Sequence, residues 1–287
     1  MDLDLIKAVG RLEEILAGLE SVVVGFSGGI DSTYLAVMAQ KVLGSAATKV
    51  VTADSPSLAR DELRECLSLA EVLGLDIAVV RTGEFDNLDY LANDALRCFY
   101  CKAELMDALG PIAAARESVV VLGVNFSDRG DYRPGQRAAA ERGARFPLLE
   151  SGMTKEMIRA HAKLLGIPNY AKAQAACLSS RIPYGTPISL SVLSRVERAE
   201  RVLRTLGLTQ VRVRDYDGTA RIEVEAEEIL KCAASAALID GELKAIGYRY
   251  VTLDLAGFAS GNLNSALSRQ DRSGAAGSRS SVASSNA

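Results

Sequence analysis

The chain has no tryptophan, and its single histidine is His161. One imidazole excludes mechanisms that need two, either as paired acid and base or as two ligands of one metal. His161 falls within Thr154 to Leu165, an amphipathic helix pattern closed by Gly166 and Pro168, and reads as a surface or half-buried helix residue. No run of about 18 or more apolar residues is present, so no segment reads as a membrane span. Met1 to Lys7 lacks the basic start and unbroken apolar core of an export signal, and the expected location is the cytoplasm. Charge of one sign is also missing: 33 basic residues against 36 acidic ones leave a formal net charge of −3, so no global basic field recommends nucleic acid as a partner. Cysteine is sparse and odd in number, five in all, which without an export signal implies reduced thiols.

What is present begins with size: 287 residues, 48% of them hydrophobic, are enough for one large domain or two smaller ones with a sizeable core. The apolar stretch Val22-Val23-Val24-Gly25-Phe26 runs into Ser27-Gly28-Gly29-Ile30-Asp31-Ser32 and then into the helix-like Thr33 to Met38. A strand, a glycine turn and a helix N-terminus together make an anion site, because two glycines let backbone N–H groups approach a phosphate at the positive end of a helix dipole. Asp31 would repel a phosphate, so it is either an N-terminal helix charge or a ligand to Mg²⁺ carried by the nucleotide. The run matches the SGGxDS loop of enzymes that split ATP between its α- and β-phosphates, and the GxxxxGK[ST] loop is absent. The plain alternative is an ordinary glycine-rich turn with a capping Asp.

Beyond the loop, apolar β-like runs alternate with helix-period segments, the pattern of a doubly wound parallel sheet. The runs are Lys49 to Ala53, Ile77 to Val80 and Val119 to Gly123; helix patterns cover Leu58 to Leu73 and about Leu88 to Leu109. Ser27, Asp54 and Asn125 would then lie beyond the C-terminal strand ends, where such sheets collect ligands. From Ser189 the pattern becomes a charged helix, Leu193 to Leu206, then strands Gln210 to Tyr216 and Thr219 to Glu225 about the turn Asp217-Gly218, a further helix, and a strand from Arg249 to Asp254. The expected organisation is a nucleotide domain over 1–170, a connector over 171–188, a small α+β domain over 189–264, and a disordered tail over 265–287.

Cys98 and Cys101, two residues apart in a helix pattern, put their sulfurs on one helix face. Cys177 stands in the connector near Arg181, a setting that favours a thiolate. Two thiols cannot complete a tetrahedral metal site, whereas three thiolates would leave one iron of a cubane open for an exchangeable sulfide. A zinc site lacks an obvious fourth ligand, a redox pair belongs nearer a strand end, and three unrelated thiols remain the plain reading. Cys66 and Cys232 read as packing residues.

With these motifs the chain resembles the LarE family of ATP-dependent sulfur transferases. The resemblance is carried by Phe26 to Thr33, Thr52 to Pro56, Asn93 to Lys102, Asp131 to Gly135, Ala176 to Gly185 with its Cys-Leu-Ser-Ser-Arg-Ile-Pro-Tyr-Gly, Arg212 to Arg214, and Tyr250 to Asp254. It implies adenylation of a carboxylate of pyridinium-3,5-biscarboxylic acid mononucleotide by ATP, then conversion to a thiocarboxylate in nickel-pincer nucleotide biosynthesis. Some members sacrifice the sulfur of a cysteine equivalent to Cys177; the three-cysteine pattern implies instead a 4Fe-4S cluster on Cys98, Cys101 and Cys177. The implied ATP site is Ser27, Gly28, Gly29, Asp31, Ser32, Asp54 and Ser55, with Asp31 near Mg²⁺. Ser180, Arg181, Arg212 and Arg214 match positions near the substrate phosphate, a role suited to forked donors, although a solvated basic strand face paired to Glu223 and Glu225 would have the same pattern. Lys102 and Arg133 are implied catalytic groups, or a helix cap and a turn residue. The implied partners are the nucleotide substrate and a sulfide or other sulfur donor, in a homo-oligomer with a hexamer among the candidates. Rival readings are a tRNA-thiolating enzyme, an amide-forming synthetase that needs no cysteine, and a nucleotide-sensing module.

Overall fold

The computed structural model describes residues 2–128, 134–172 and 176–259. In chain order the elements are α1 (Leu3–Ala17), β1 (Val22–Gly25), α2 (Ile30–Leu43), β2 (Thr48–Asp54), α3 (Arg60–Val72), β3 (Ile77–Arg81), α4 (Leu88–Leu91), α5 (Arg97–Ala115) and β4 (Val119–Leu122). There follow α6 (Pro134–Glu141), α7 (Pro147–Glu150), α8 (Lys155–Leu164), α9 (Leu190–Thr205), β5 (Val211–Tyr216), β6 (Thr219–Val224), α10 (Ile229–Ala234), α11 (Ala236–Ile246) and β7 (Tyr250–Leu253). They divide into two compact units, one of residues 1–87 with 98–177 and one of residues 88–97 with 178–287.

The first unit is a four-stranded parallel sheet in the order β3-β2-β1-β4. Alternation along β1 separates its two faces: Val22 and Val24 pack with Leu12, Leu35, Ile158 and their neighbours from α1, α2 and α8, while Val23 packs with Met106 and Leu109 of α5 and Ala139 of α6. A parallel sheet covered on both sides explains why its strands read as apolar runs. Because β2 and β3 lie to one side of β1 and β4 to the other, the strand order reverses at β1, and the crevice beyond β1 and β4 is the switch point where such sheets bind ligands.

The second unit holds the three-stranded sheet β5-β6-β7, its β5-β6 pair antiparallel about the expected Asp217-Gly218 turn. Its core is Ala199, Leu203, Val211, Val213, Ile222, Val224, Ile239 and Leu243, drawn from α9, α11 and the sheet. Ser189 starts α9 by accepting the amide of Val192, as a cap should.

Two expectations change. The single helix pattern from Leu88 to Leu109 is two helices, α4 and α5, interrupted at Asn93, whose φ of 55° no helix accommodates. The Asn93 amide offsets the break by donating to the carbonyls of Pro183 and Thr186, each at 2.8 Å. His161 is buried, 7% exposed, and its Nδ1 lies 2.6 Å from the hydroxyl of the fully buried Tyr34. The tail from 265 lies outside the described residues, as do Arg133 and 173–175.

Candidate active site

Gly25 ends β1, and the chain then makes the loop Phe26 to Gly29 before α2 begins at Ile30. The first turn of α2 has no side-chain cap, so its amides stay available to an anion. The loop's hydroxyls turn on the loop itself: Ser27 and Ser32 Oγ lie 3.1 Å apart, and Ser32 and Thr33 donate to the Gly29 carbonyl at 3.0 and 2.9 Å. Gly28 has φ +69°, and a Cβ there would sit 3.2 Å from the backbone of Cys66. Across the switch point, Gly123 at the end of β4 is required by proximity, since a Cβ would come within 2.7 Å of the Ser32 amide nitrogen.

That close approach brings Asn125 onto Asp31, with Asn125 Nδ2 donating to Asp31 Oδ2 at 3.0 Å. The other oxygens of this pair, Asp31 Oδ1 and Asn125 Oδ1, are buried and have no hydrogen-bond partner among the described residues. Burial raises the Asp31 pKa, and Asp128 adds to the rise, against the Asn125 hydrogen bond and the nearby Lys155 and Arg159. A carboxylate and an amide oxygen with no protein donor, buried next to another carboxylate, form a hard-oxygen set that fits Mg²⁺.

At the next strand end Asp54 pairs with Arg60 at 2.5 Å, and the Arg60 guanidinium also donates to the Ser55 carbonyl at 2.6 Å. The Ser55 hydroxyl donates to Glu84, which is 1% exposed and whose buried Oε2 has no hydrogen-bond partner among the described residues. The Cys101 thiol is pushed up to about 12, first by burial, then by Cys177, with smaller raising effects from Glu84 and Cys98 and an opposing one from Lys102. Cys98, Cys101 and Cys177 therefore share one electrostatic neighbourhood, Cys98 exposed and the other two partly so. In donor chemistry three thiolates suit three corners of a cubane. Among the described residues, however, no group of three or more His, Cys, Asp or Glu side chains is gathered so as to hold a metal ion.

The remaining predicted residues lie in the second unit, and they are buried where a solvated face was the alternative. Arg181 and Arg214 are 3% and 5% exposed, Arg212 6%. Arg181 forks onto Glu200 at 2.7 and 3.0 Å, and Arg214 onto Glu223 Oε2 at 3.0 and 2.7 Å. Ser180 joins them, its carbonyl accepting from Arg214 at 2.8 Å and its hydroxyl from Arg181 at 3.1 Å. Arg212 has no carboxylate partner among the described residues; it donates to the Val211 carbonyl at 2.8 Å and stacks on Phe258 at 5.3 Å. Burial first, and then the neighbouring Arg181, lowers its pKa to about 10 against the pull of Glu200. Among the described residues, the buried guanidiniums of Arg181, Arg212 and Arg214 face the buried carboxylates of Glu200 and Glu223, three positive charges beside two negative ones. Sequence reasoning missed Glu200, Arg97 and Tyr90. Arg97 donates to Asn93 at 2.7 Å and to the Ser179 carbonyl at 2.9 Å, and the Tyr90 and Ser179 hydroxyls lie 2.7 Å apart, fixing the turn that presents Ser180 and Arg181.

A strand-to-helix glycine loop at the switch point of a parallel sheet defines an α/β nucleotide-activating enzyme of the PP-loop class. A family model described as NAD synthase matches residues 10–89. The pyridinium-3,5-bisthiocarboxylic acid mononucleotide synthase of Lactiplantibacillus plantarum is 39% identical over 261 residues, 88% of this chain and 92% of that protein. An uncharacterised protein of Synechocystis is 44% identical over 264 residues, 90% of this chain and 97% of its own. A glutamine-hydrolysing GMP synthase of Pelodictyon phaeoclathratiforme is 28% identical over 56% of this chain and 29% of its own length. The chain belongs to the LarE family, that of the pyridinium-3,5-bisthiocarboxylic acid mononucleotide synthase.

Proposed function

We propose that this chain uses ATP to activate a carboxylate of pyridinium-3,5-biscarboxylic acid mononucleotide and replaces the activated oxygen with sulfur. The observation that supports the reading is the loop at the uncapped start of α2, with Asn125 bonded to Asp31 beside it and the other oxygen of each buried without a hydrogen-bond partner among the described residues. Ser27 to Ser32 hold the β- and γ-phosphates, Asp31 with Asn125 holds Mg²⁺, and Asp54 and Ser55 face the adenosine. A substrate carboxylate oxygen attacks the α-phosphorus, the bond to the bridging oxygen breaks, and pyrophosphate leaves. A sulfide then attacks the carbonyl carbon and the C–O bond to AMP breaks, leaving the thiocarboxylate. Lys102 neutralises the acyl phosphate, Arg133 belongs to the same catalytic group, and Arg181, Arg212 and Arg214 with Ser180 hold the substrate's own phosphate.

The three-cysteine form of delivery places a 4Fe-4S cluster on Cys98, Cys101 and Cys177, which when bound supplies an exchangeable sulfide. The family's other form spends Cys177 itself: its sulfur bonds to the acyl carbon, the Cβ–Sγ bond breaks with loss of the Cα proton, and dehydroalanine remains. Iron and acid-labile sulfide in protein purified without oxygen test the choice. A cubane's complement, lost in Cys98→Ala, Cys101→Ala or Cys177→Ala, supports the cluster; an iron-free protein that loses about 34 Da at Cys177 in turnover, the mass of H₂S, with the sulfur recovered on the substrate, moves it to the sacrificial form. Failure to release pyrophosphate with any carboxylate substrate overturns the whole reading.

A further inference from the structure

The phosphate loop is held by a side chain that its motif does not contain. Asn169, beyond the end of α8, donates through Nδ2 to the Gly28 carbonyl at 2.9 Å and to Thr33 Oγ1 at 3.1 Å. Thr33 passes its own proton to the Gly29 carbonyl at 2.9 Å, where Ser32 Oγ also donates at 3.0 Å. Two consecutive loop carbonyls are thus drawn back toward the protein. In a trans peptide the N–H points opposite the C=O, so tying back the carbonyls of Gly28 and Gly29 turns the amides of Gly29 and Ile30 the other way, the Gly29 N–H on the side of Ser27 Oγ at 3.4 Å. Divergent carbonyls and convergent amides are what a backbone anion nest requires.

Nothing local to the loop supplies this bond to Gly28. Gly28 occupies the left-handed region with Cys66 against its back, and without a donor on its carbonyl the peptide that follows is free to rotate. Asn169 is itself held independently of the loop. Three residues on, Lys172 is paired with Glu62 at 2.9 Å and Glu65 at 2.8 Å, and its carbonyl accepts from Arg159 at 3.1 Å. A fixed strap therefore carries the amide that sets the loop.

We infer that Asn169 is a positioning residue for the phosphates of ATP, aiming the amides of Gly29 and Ile30 by holding the Gly28 carbonyl. This rests on the proposed use of the loop for ATP. The test is titration of the full chain with MgATP, beside the KM for ATP and for the nucleotide acceptor. Asn169→Asp keeps the size and replaces the donor by an acceptor, and Asn169→Ala removes the donor without adding charge. Both variants are expected to bind MgATP about tenfold more weakly while the acceptor KM stays within about twofold. MgATP affinity unchanged in Asn169→Ala overturns the inference. So does a loss that falls equally on ATP and acceptor and tracks a lowered melting temperature, which is the signature of a merely structural residue. If wild-type protein binds MgATP but releases no pyrophosphate, the proposed function fails while the titration still decides the role of Asn169.

Discussion

Tyr34 and His161 meet inside the first unit, hydroxyl to Nδ1 at 2.6 Å, with their rings edge to face at 5.6 Å between centroids. The pair joins α2, which begins at the phosphate loop, to α8. Burial, and after it Lys41, lowers the His161 pKa against the smaller raising effect of Glu13. The folded protein therefore binds fewer protons than the unfolded chain below the ordinary histidine value of about 6.5, so stability is complete above that pH and declines as pH falls toward the lowered folded value. Melting temperature against pH should drop through this window, and the drop should flatten in His161→Gln. Tyr34→Phe leaves a buried ring nitrogen unpaired and should cost about 1–3 kcal/mol near pH 7.

Asp31 has the opposite relation to stability. Its folded pKa is raised, so the ionised form present at neutral pH is disfavoured in the ligand-free protein, and this cost disappears as pH falls through the folded value. Asp31→Asn should raise the melting temperature of the ligand-free protein and abolish Mg²⁺-dependent pyrophosphate release. A variant that melts lower and still turns over would remove Asp31 from the metal role.

Gly123 tests the close approach of β4 to α2. Its absent Cβ would lie 2.7 Å from the Ser32 amide and 2.8 Å from the Asp31 carbonyl carbon, both backbone atoms that cannot give way. Gly123→Ala should displace the first turn of α2 by a few tenths of an ångström or more and lower kcat/KM for ATP by roughly a hundredfold, as misplacement of a positioned group does. Stopped-flow pyrophosphate detection reads the effect directly.

The arginine network separates stability from binding. Glu200 accepts from Arg181, from Arg204 at 2.8 Å and from the Val213 amide at 3.1 Å; burial pushes its pKa up, but the arginines outweigh that and hold it below the usual carboxylate range. Glu200→Ala should cost about 3–5 kcal/mol, because it strands a buried guanidinium. Arg212→Met removes the charge that has no carboxylate partner among the described residues and should leave denaturant stability unchanged or slightly higher, while affinity for the acceptor nucleotide falls about tenfold or more. Chemical denaturation and acceptor titration of the two variants should therefore move in different directions.

Much of this was legible in the residues because it depends on short-range order. The alternating apolar runs of β1, β2 and β4, the glycine turn into α2, the cap at Ser189 and the Asp217-Gly218 turn are each decided within a few positions of the chain. Ser180, Arg181, Arg212 and Arg214 could be named in advance through the resemblance their motifs carry, and they do lie together in one unit.

Other features needed residues distant in sequence to be brought side by side. Nothing near Asn93 announces that it will break a helix pattern in exchange for carbonyls some ninety residues on, and nothing near His161 announces Tyr34. Asn169 lies 141 residues from the glycine it holds, and Glu200 belongs to a helix that by its own pattern is merely amphipathic. Periodicity tells a helix or strand which way to face. It does not say which buried polar atom will complete which hydrogen bond, since that is settled when the core closes and every donor and acceptor within it must find a partner or keep a place for a ligand.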